Sequence, residues 1–147
     1  MSYAAPPKRW FIRIFGIIQT LLYKVSGSRL SNTVGGDDIC FLETVGAKTG
    51  KTRFAPLMYV PFNGGVLLVA SVGGTPKNPS WYWNILKSPV VKISHRGSEK
   101  KYRARVAHPD ERPSLWRTCV ETYPPYGEYE TRTQREIPVL ICEPLEV

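Results

Sequence analysis

Two short segments hold most of the residues whose types and spacing could do chemistry. Residues 46–58 read GAKTGKTRFAPLM, and residues 70–84 read ASVGGTPKNPSWYWN. Each joins a glycine turn to a β-like run. Lys48, Thr49, Lys51 and Arg53 follow the first glycine, and Ser71, Gly73, Gly74 and Lys77 fill the second turn. Backbone N–H groups freed at a turn, with cations beside them, suit an anionic ligand. Arg53 adds the planar fork that grips a phosphate with two hydrogen bonds. A third segment, YPPYGEY at residues 123–129, spaces Tyr123, Tyr126 and Tyr129 three apart. Three tyrosines offer flat apolar area for an aromatic molecule and hydroxyls to orient it or to deliver a proton.

Other chemistries find little support. A Walker A loop needs four residues between its first glycine and the Gly-Lys-Ser/Thr end, and it must open a helix. Here only Ala47, Lys48 and Thr49 separate Gly46 from Gly50, and the residues that follow are β-branched, aromatic and broken by Pro56 and Pro61. His95 and His108 stand apart from other metal-ligand types, so no metal site is expected. No nucleophile–histidine–carboxylate arrangement stands out. Twenty Lys and Arg against twelve Asp and Glu give a net charge of +8, which favours an acidic partner. The cations are spread over strands and turns rather than along a basic helix or an aromatic-rich strand pair, which argues against nucleic acid. Cys40, Cys119 and Cys142 show no CxxC spacing. Cys40 and Cys142 lie in apolar runs, as buried, reduced and inert thiols do.

The pair GxKTGxxRxxPL and ASxGGxxxNPxWYxN, followed by YPxYxxY and a closing IPVxxCEP at Ile137–Pro144, resembles the deazaflavin-dependent nitroreductase family. The resemblance runs from Cys40 to the C-terminus. It implies a split β-barrel of the flavin-reductase/FMN-binding type and the coenzyme F420, a deazaflavin with a phosphate and an oligoglutamate tail. By resemblance, Lys48 and Arg53 contact phosphate or tail, with Thr49, Lys51 and Lys77 beside them. Ala55, Pro56 and Met58 run along the ring, and Ala70, Ser71, Gly73 and Gly74 approach it. Trp81 and Asn84 come from the next helix. The tyrosines form the wall where the acceptor binds, with Tyr126 or Ser71 as proton donor and Tyr123, Tyr129 and Met58 shaping the pocket. The implied reaction is hydride transfer to a quinone, an activated alkene or a nitroaromatic. A split-barrel flavoprotein using FMN and a non-catalytic deazaflavin binder or peripheral membrane protein are the alternatives. Two departures stand out: Val72 replaces a lysine common in relatives, and Met58 an aromatic residue found in some. Membership also implies a monomer and an actinobacterial source.

The elements that must hold these residues follow from pattern. A chain of 147 residues with 42% hydrophobic content is long enough for one core. Residues 8–25, KRWFIRIFGIIQTLLYKV, have a helical period with Trp10, Ile14, Ile17 and Leu21 in one row. Such a basic amphipathic helix either lies in a membrane interface or covers the barrel. With no leader cleavage site, a cytoplasmic location is expected, with contact at the inner membrane face as an option. Residues 1–38 read as this helix plus a Ser/Gly-rich linker, and 39–147 as the deazaflavin-binding domain. Strands are expected at 39–45, 52–62, 65–72, 90–95, 99–107 and 137–142, with a hairpin turn at Asn63-Gly64. Helices are expected from an Asn78 N-cap to Leu86, over 110–122 and over 125–133. Strands dominate and few helices cross between them, which fits an antiparallel barrel with helices at its edges.

Overall fold

The computed structural model describes residues 33–34 and 37–145. The expected helix at 8–25 lies outside them. Among the described residues there are eight strands: β1 (Thr33–Val34), β2 (Asp37–Val45), β3 (Thr52–Met58), β4 (Val60–Phe62), β5 (Gly65–Val69), β6 (Val90–His95), β7 (Ser98–Val106) and β8 (Val139–Pro144). Helices α1 (Ser80–Lys87), α2 (Arg112–Thr122) and α3 (Pro125–Thr131) accompany them, with a 3-10 turn at Val72–Gly74.

All strand pairings are antiparallel, in the order β1-β2-β6-β7-β8-β5-β4, with β3 on β2 as well. The run expected as one strand from Thr52 to Phe62 breaks at Tyr59. Its first half pairs with β2 and its second with β5, so this bent run joins the two ends of the sheet. The result is the expected mainly β split barrel with peripheral helices.

Alternation along the strands builds two cores. Cys40, Leu42, Val66, Leu68, Val91, Ile93, Tyr102, Ala104, Leu140 and Cys142 fill the barrel, capped by Trp81 and Ile85 of α1. The intervening residues of β5 and β8 (Leu67, Val69, Val139 and Ile141) pack outward against Leu115, Trp116, Cys119 and Tyr126. Strand β5 is therefore buried on both faces, which explains its unbroken apolar sequence GVLLV.

Several boundaries differ from expectation. Strands β1 and β2 reach into the expected linker, because Thr33 and Val34 pair with Asp38 and Asp37. Strand β5 ends at Val69, and Val72 belongs to the turn that follows. Pro79, not Asn78, is the N-cap of α1, and no side chain caps it. The Asn78 amide oxygen instead accepts a hydrogen bond from Arg135 Nη1 at 2.7 Å. Helix α3 is two residues shorter than expected, and Tyr123 is the C-cap of α2. Asn63 and Gly64 both have positive φ (47° and 77°), as the hairpin reading requires.

Candidate functional site

The first glycine segment is braced from within and from α1. Gly46 and Gly50 close the turn through Gly46 N–H to the Lys51 carbonyl and Gly50 N–H to the Gly46 carbonyl, both 2.8 Å. Thr49 Oγ1 accepts from Lys51 N–H at 3.2 Å and from Arg53 Nη2 at 3.5 Å. Asn84 is buried: its Oδ1 accepts Ala47 N–H at 2.9 Å and its Nδ2 donates to Thr44 Oγ1 at 3.1 Å. Lys87 Nζ donates to the Ala47 carbonyl at 2.7 Å. Asn84 thus anchors the loop, a role its place in the sequence did not show. Trp81 likewise packs into the barrel core. Lys48, Lys51, Arg53 and Lys77 are all exposed, where a flexible anionic chain can reach them.

The second glycine segment is held in an unusual shape. Ser71 is right-handed (φ −84°, ψ −41°), and Val72, Gly73 and Gly74 all have positive φ (45°, 64° and 82°). Right-handed followed by left-handed backbone turns successive N–H groups toward one concave side, the geometry that cups anions. A β-branched valine at positive φ is strained by about 1–3 kcal/mol and persists only where its surroundings enforce it. Arg135 enforces it. Its Nε donates to the Thr75 carbonyl (3.0 Å), its Nη1 to Asn78, and its Nη2 to the carbonyls of Ala70 (3.0 Å) and Ser71 (3.1 Å). Burial shifts this guanidinium below its ordinary pKa, without threatening its charge at neutral pH.

The tyrosines come together, though not on one open helix face. Tyr123 and Tyr126 rings lie 4.9 Å apart and edge-on, and Tyr126 and Tyr129 lie 6.0 Å apart. The hydroxyls of Tyr123 and Tyr129 approach to 3.4 Å. Tyr126 is buried beside Trp116 in the outer core, whereas Tyr123, Tyr129 and Met58 are half-buried at its margin. Burial holds the Tyr126 hydroxyl well above its ordinary pKa. A Cβ added to Gly74 would stand 2.6 Å from the Tyr129 carbonyl and 3.0 Å from Arg132 Cβ. Only glycine lets α3 sit this close to the turn. The three segments singled out by sequence are thus contiguous: α1 follows the second turn and holds the first, while α3 leans on the second.

Residues 17–144 match the sequence profile of the F420H(2)-dependent quinone reductases. The chain belongs to that family. A candidate F420H(2)-dependent quinone reductase of Mycobacterium tuberculosis is 38% identical over 103 residues, 70% of this chain and 87% of the relative. Among solved structures, an F420-H2 dependent reductase (FDR-A) is similar with a TM-score of 0.67 and 46% identity, over 71% of this chain and 93% of that one. A domain-swapped dimer is similar with a TM-score of 0.68 and 38% identity, over 86% and 97% of the two chains.

The residues present fit the coenzyme of an F420H(2)-dependent reductase. Exposed cations border the first turn, a concave backbone turn lies in the second, and an aromatic wall packs on that turn. A cavity of about 470 Å³ opens elsewhere, between the β4–β5 hairpin and α2. It is lined by Phe62, Leu115, Ile141 and Arg105, which pairs with both Glu111 and Glu143, and by none of the expected site residues. Arg135 and Arg132 were missed in the sequence. The arginine spacing after the tyrosines was the available signal, and it reads equally well as a solvated helix end.

Proposed function

We propose that this protein is an F420H(2)-dependent reductase that passes a hydride to a quinone or a similarly electron-poor acceptor. The observation that carries the proposal is the close packing of the tyrosine cluster on the strained Ser71–Gly74 turn, which puts an anion cradle and an aromatic wall side by side. When bound, the reduced deazaflavin supplies a carbon-centred hydride donor. The protein's own task is to hold two flat molecules face to face and to exclude water.

Lys48, Lys51, Arg53 and Lys77 would draw in the anionic tail, with Thr49 shaping the loop. The Ser71–Gly74 backbone would hold the phosphate. Ala55, Pro56, Met58 and Ala70 would flank the ring, while Trp81 and Asn84 hold the loop and helix around it. Tyr123, Tyr129 and Met58 would contact the acceptor. Tyr126 would donate a hydrogen bond to its developing negative charge, and Ser71 or solvent would complete protonation. Activated alkenes and nitroaromatics are further acceptors within the same chemistry. A monomer, and contact of residues 8–25 with an anionic membrane where lipid-soluble quinones reside, extend the proposal.

The test is oxidation of F420H2 by menadione, with tryptophan-quenching titrations of F420 and FMN in parallel. Steady turnover and saturable quenching by F420 are expected. Quenching by FMN alone would transfer the barrel to flavin chemistry, and F420 binding without turnover would make the protein a carrier.

A further inference from the structure

Two arginines follow the tyrosines, and they are treated in opposite ways. Arg135 has all three of its nitrogens engaged by the second glycine segment. Arg132, the C-cap of α3, has a side chain only 17% exposed, yet its guanidinium donates no hydrogen bond among the described residues. Its Nε is fully buried without a partner. The nearest carboxylate oxygen, Glu128 Oε2, lies 3.9 Å from Nη2 and belongs to a side chain that is 55% exposed. The guanidinium carbon sits 5.4 Å from the centre of the Tyr129 ring. A cation with a buried donor left unmet, here Nε, is costly unless something completes it. Arg132 Cβ is in contact range of Gly74, at the end of the concave turn. No side-chain cation stands within that turn, since position 72 is valine.

We propose that Arg132 is a ligand-binding residue whose guanidinium takes the phosphodiester oxygens of the molecule held at the Ser71–Gly74 turn. The inference rests on the F420 reading above. The turn offers its N–H groups other than that of Gly74, which is given to the Ser71 carbonyl, and Arg132 adds a two-pronged cation held over the Tyr129 ring. Glu128 acts as a loose stand-in that the phosphate displaces. The same cation then lies between the cofactor's phosphate and the tyrosine wall, tying cofactor binding to the position of Tyr129.

The experiment titrates wild-type, Arg132→Gln and Arg132→Lys protein with three ligands. These are the deazaflavin carrying only its ribityl chain, the phospholactyl form without glutamates, and full F420. Tryptophan quenching is the readout, and thermal midpoints are measured alongside. Arg132→Gln should bind both phosphorylated ligands about tenfold to a hundredfold more weakly. It should bind the phosphate-free ligand as wild type does and keep its thermal midpoint, because no internal hydrogen bond is lost. Arg132→Lys should fall between, retaining charge without the fork. Equal losses for all three ligands, a loss confined to the glutamate-bearing form, or no loss would each overturn the assignment. Wild-type protein that bound none of the three would remove the F420 reading itself, so the two failures are distinguishable.

Discussion

Burial decides what the Tyr126 hydroxyl can contribute. Its pKa is held well above the usual tyrosine value by desolvation, so it stays protonated across the neutral range and serves as a fixed hydrogen-bond donor. Tyr126→Phe should lower kcat for menadione reduction roughly tenfold while leaving the F420 dissociation constant unchanged. The wild-type rate should show no titration from this group between about pH 6 and 9. Equal kcat in the variant would take Tyr126 out of the mechanism and leave it as packing. The thiols follow the same logic: burial pushes Cys40 and Cys119 up to about 12, which makes them poor nucleophiles. At this scale the sequence was informative about residue type and weak about environment. The YPPYGEY spacing identified a tyrosine cluster, but only the packing of α2 and α3 shows that its middle member is buried. Asn84 was legible as a polar residue on a helix, and its double bond to Ala47 and Thr44 was not.

Between elements, the decisive contacts span long stretches of chain and leave no local pattern. Arg135 meets Thr75 across 60 residues, so no periodicity could announce it. Arg135→Ala should cost roughly 2–4 kcal/mol, since several buried carbonyls lose their donor at once. It should also weaken F420 binding, because Val72 would lose part of what holds it at positive φ, leaving the Gly74 N–H to Ser71 carbonyl and Thr75 N–H to Val72 carbonyl bonds. Urea unfolding and quenching titration would read the two effects, and loss of stability with unchanged affinity would show that the turn keeps its shape unaided. A second junction joins β7 to the start of α2. Glu111, the N-cap of α2, accepts from Arg105 Nη1 at 2.7 Å and Nη2 at 3.2 Å and from His108 N–H at 2.8 Å. The Arg105 fork chiefly, with the His108 amide, lowers the Glu111 carboxyl from 4.5 to about 2. A depressed folded pKa contributes stability that is complete above the unfolded value and fades as pH falls through the folded one. The thermal midpoint of Glu111→Gln should therefore lie below wild type at pH 6, by a small margin for so exposed a pair, and converge on it between pH 4.5 and about 2. A pH-independent difference would mean that the shape of the glutamate matters and its charge does not.

For the molecule as a whole, the fold was largely legible because its determinants are short-range. Alternation gave the strands, Asn63-Gly64 marked a hairpin, and apolar runs located β5 and β8. The barrel's closure was not legible: nothing in the residues 52–62 says that they bend at Tyr59 and join two strands of the same sheet. That closure makes β5 the common wall of both cores, and Gly65 opens it. A Cβ at Gly65 would collide with the Cys142 carbonyl of β8, a backbone atom that cannot yield without parting the two strands. Gly64, one residue earlier, has positive φ (77°) but open space around it. The neighbouring glycines therefore separate two costs. Gly64→Ala should lose about 1–2 kcal/mol from backbone strain alone. Gly65→Ala should lose about 3 kcal/mol or more, because the overlap separates β5 from β8. Since β5 serves both cores, tryptophan fluorescence and far-UV circular dichroism should report one coincident unfolding transition in both variants. Two separated transitions would show that the helix-covered core stands without the barrel, and a Gly65→Ala loss no larger than that of Gly64→Ala would mean the β5–β8 seam yields where the geometry says it cannot.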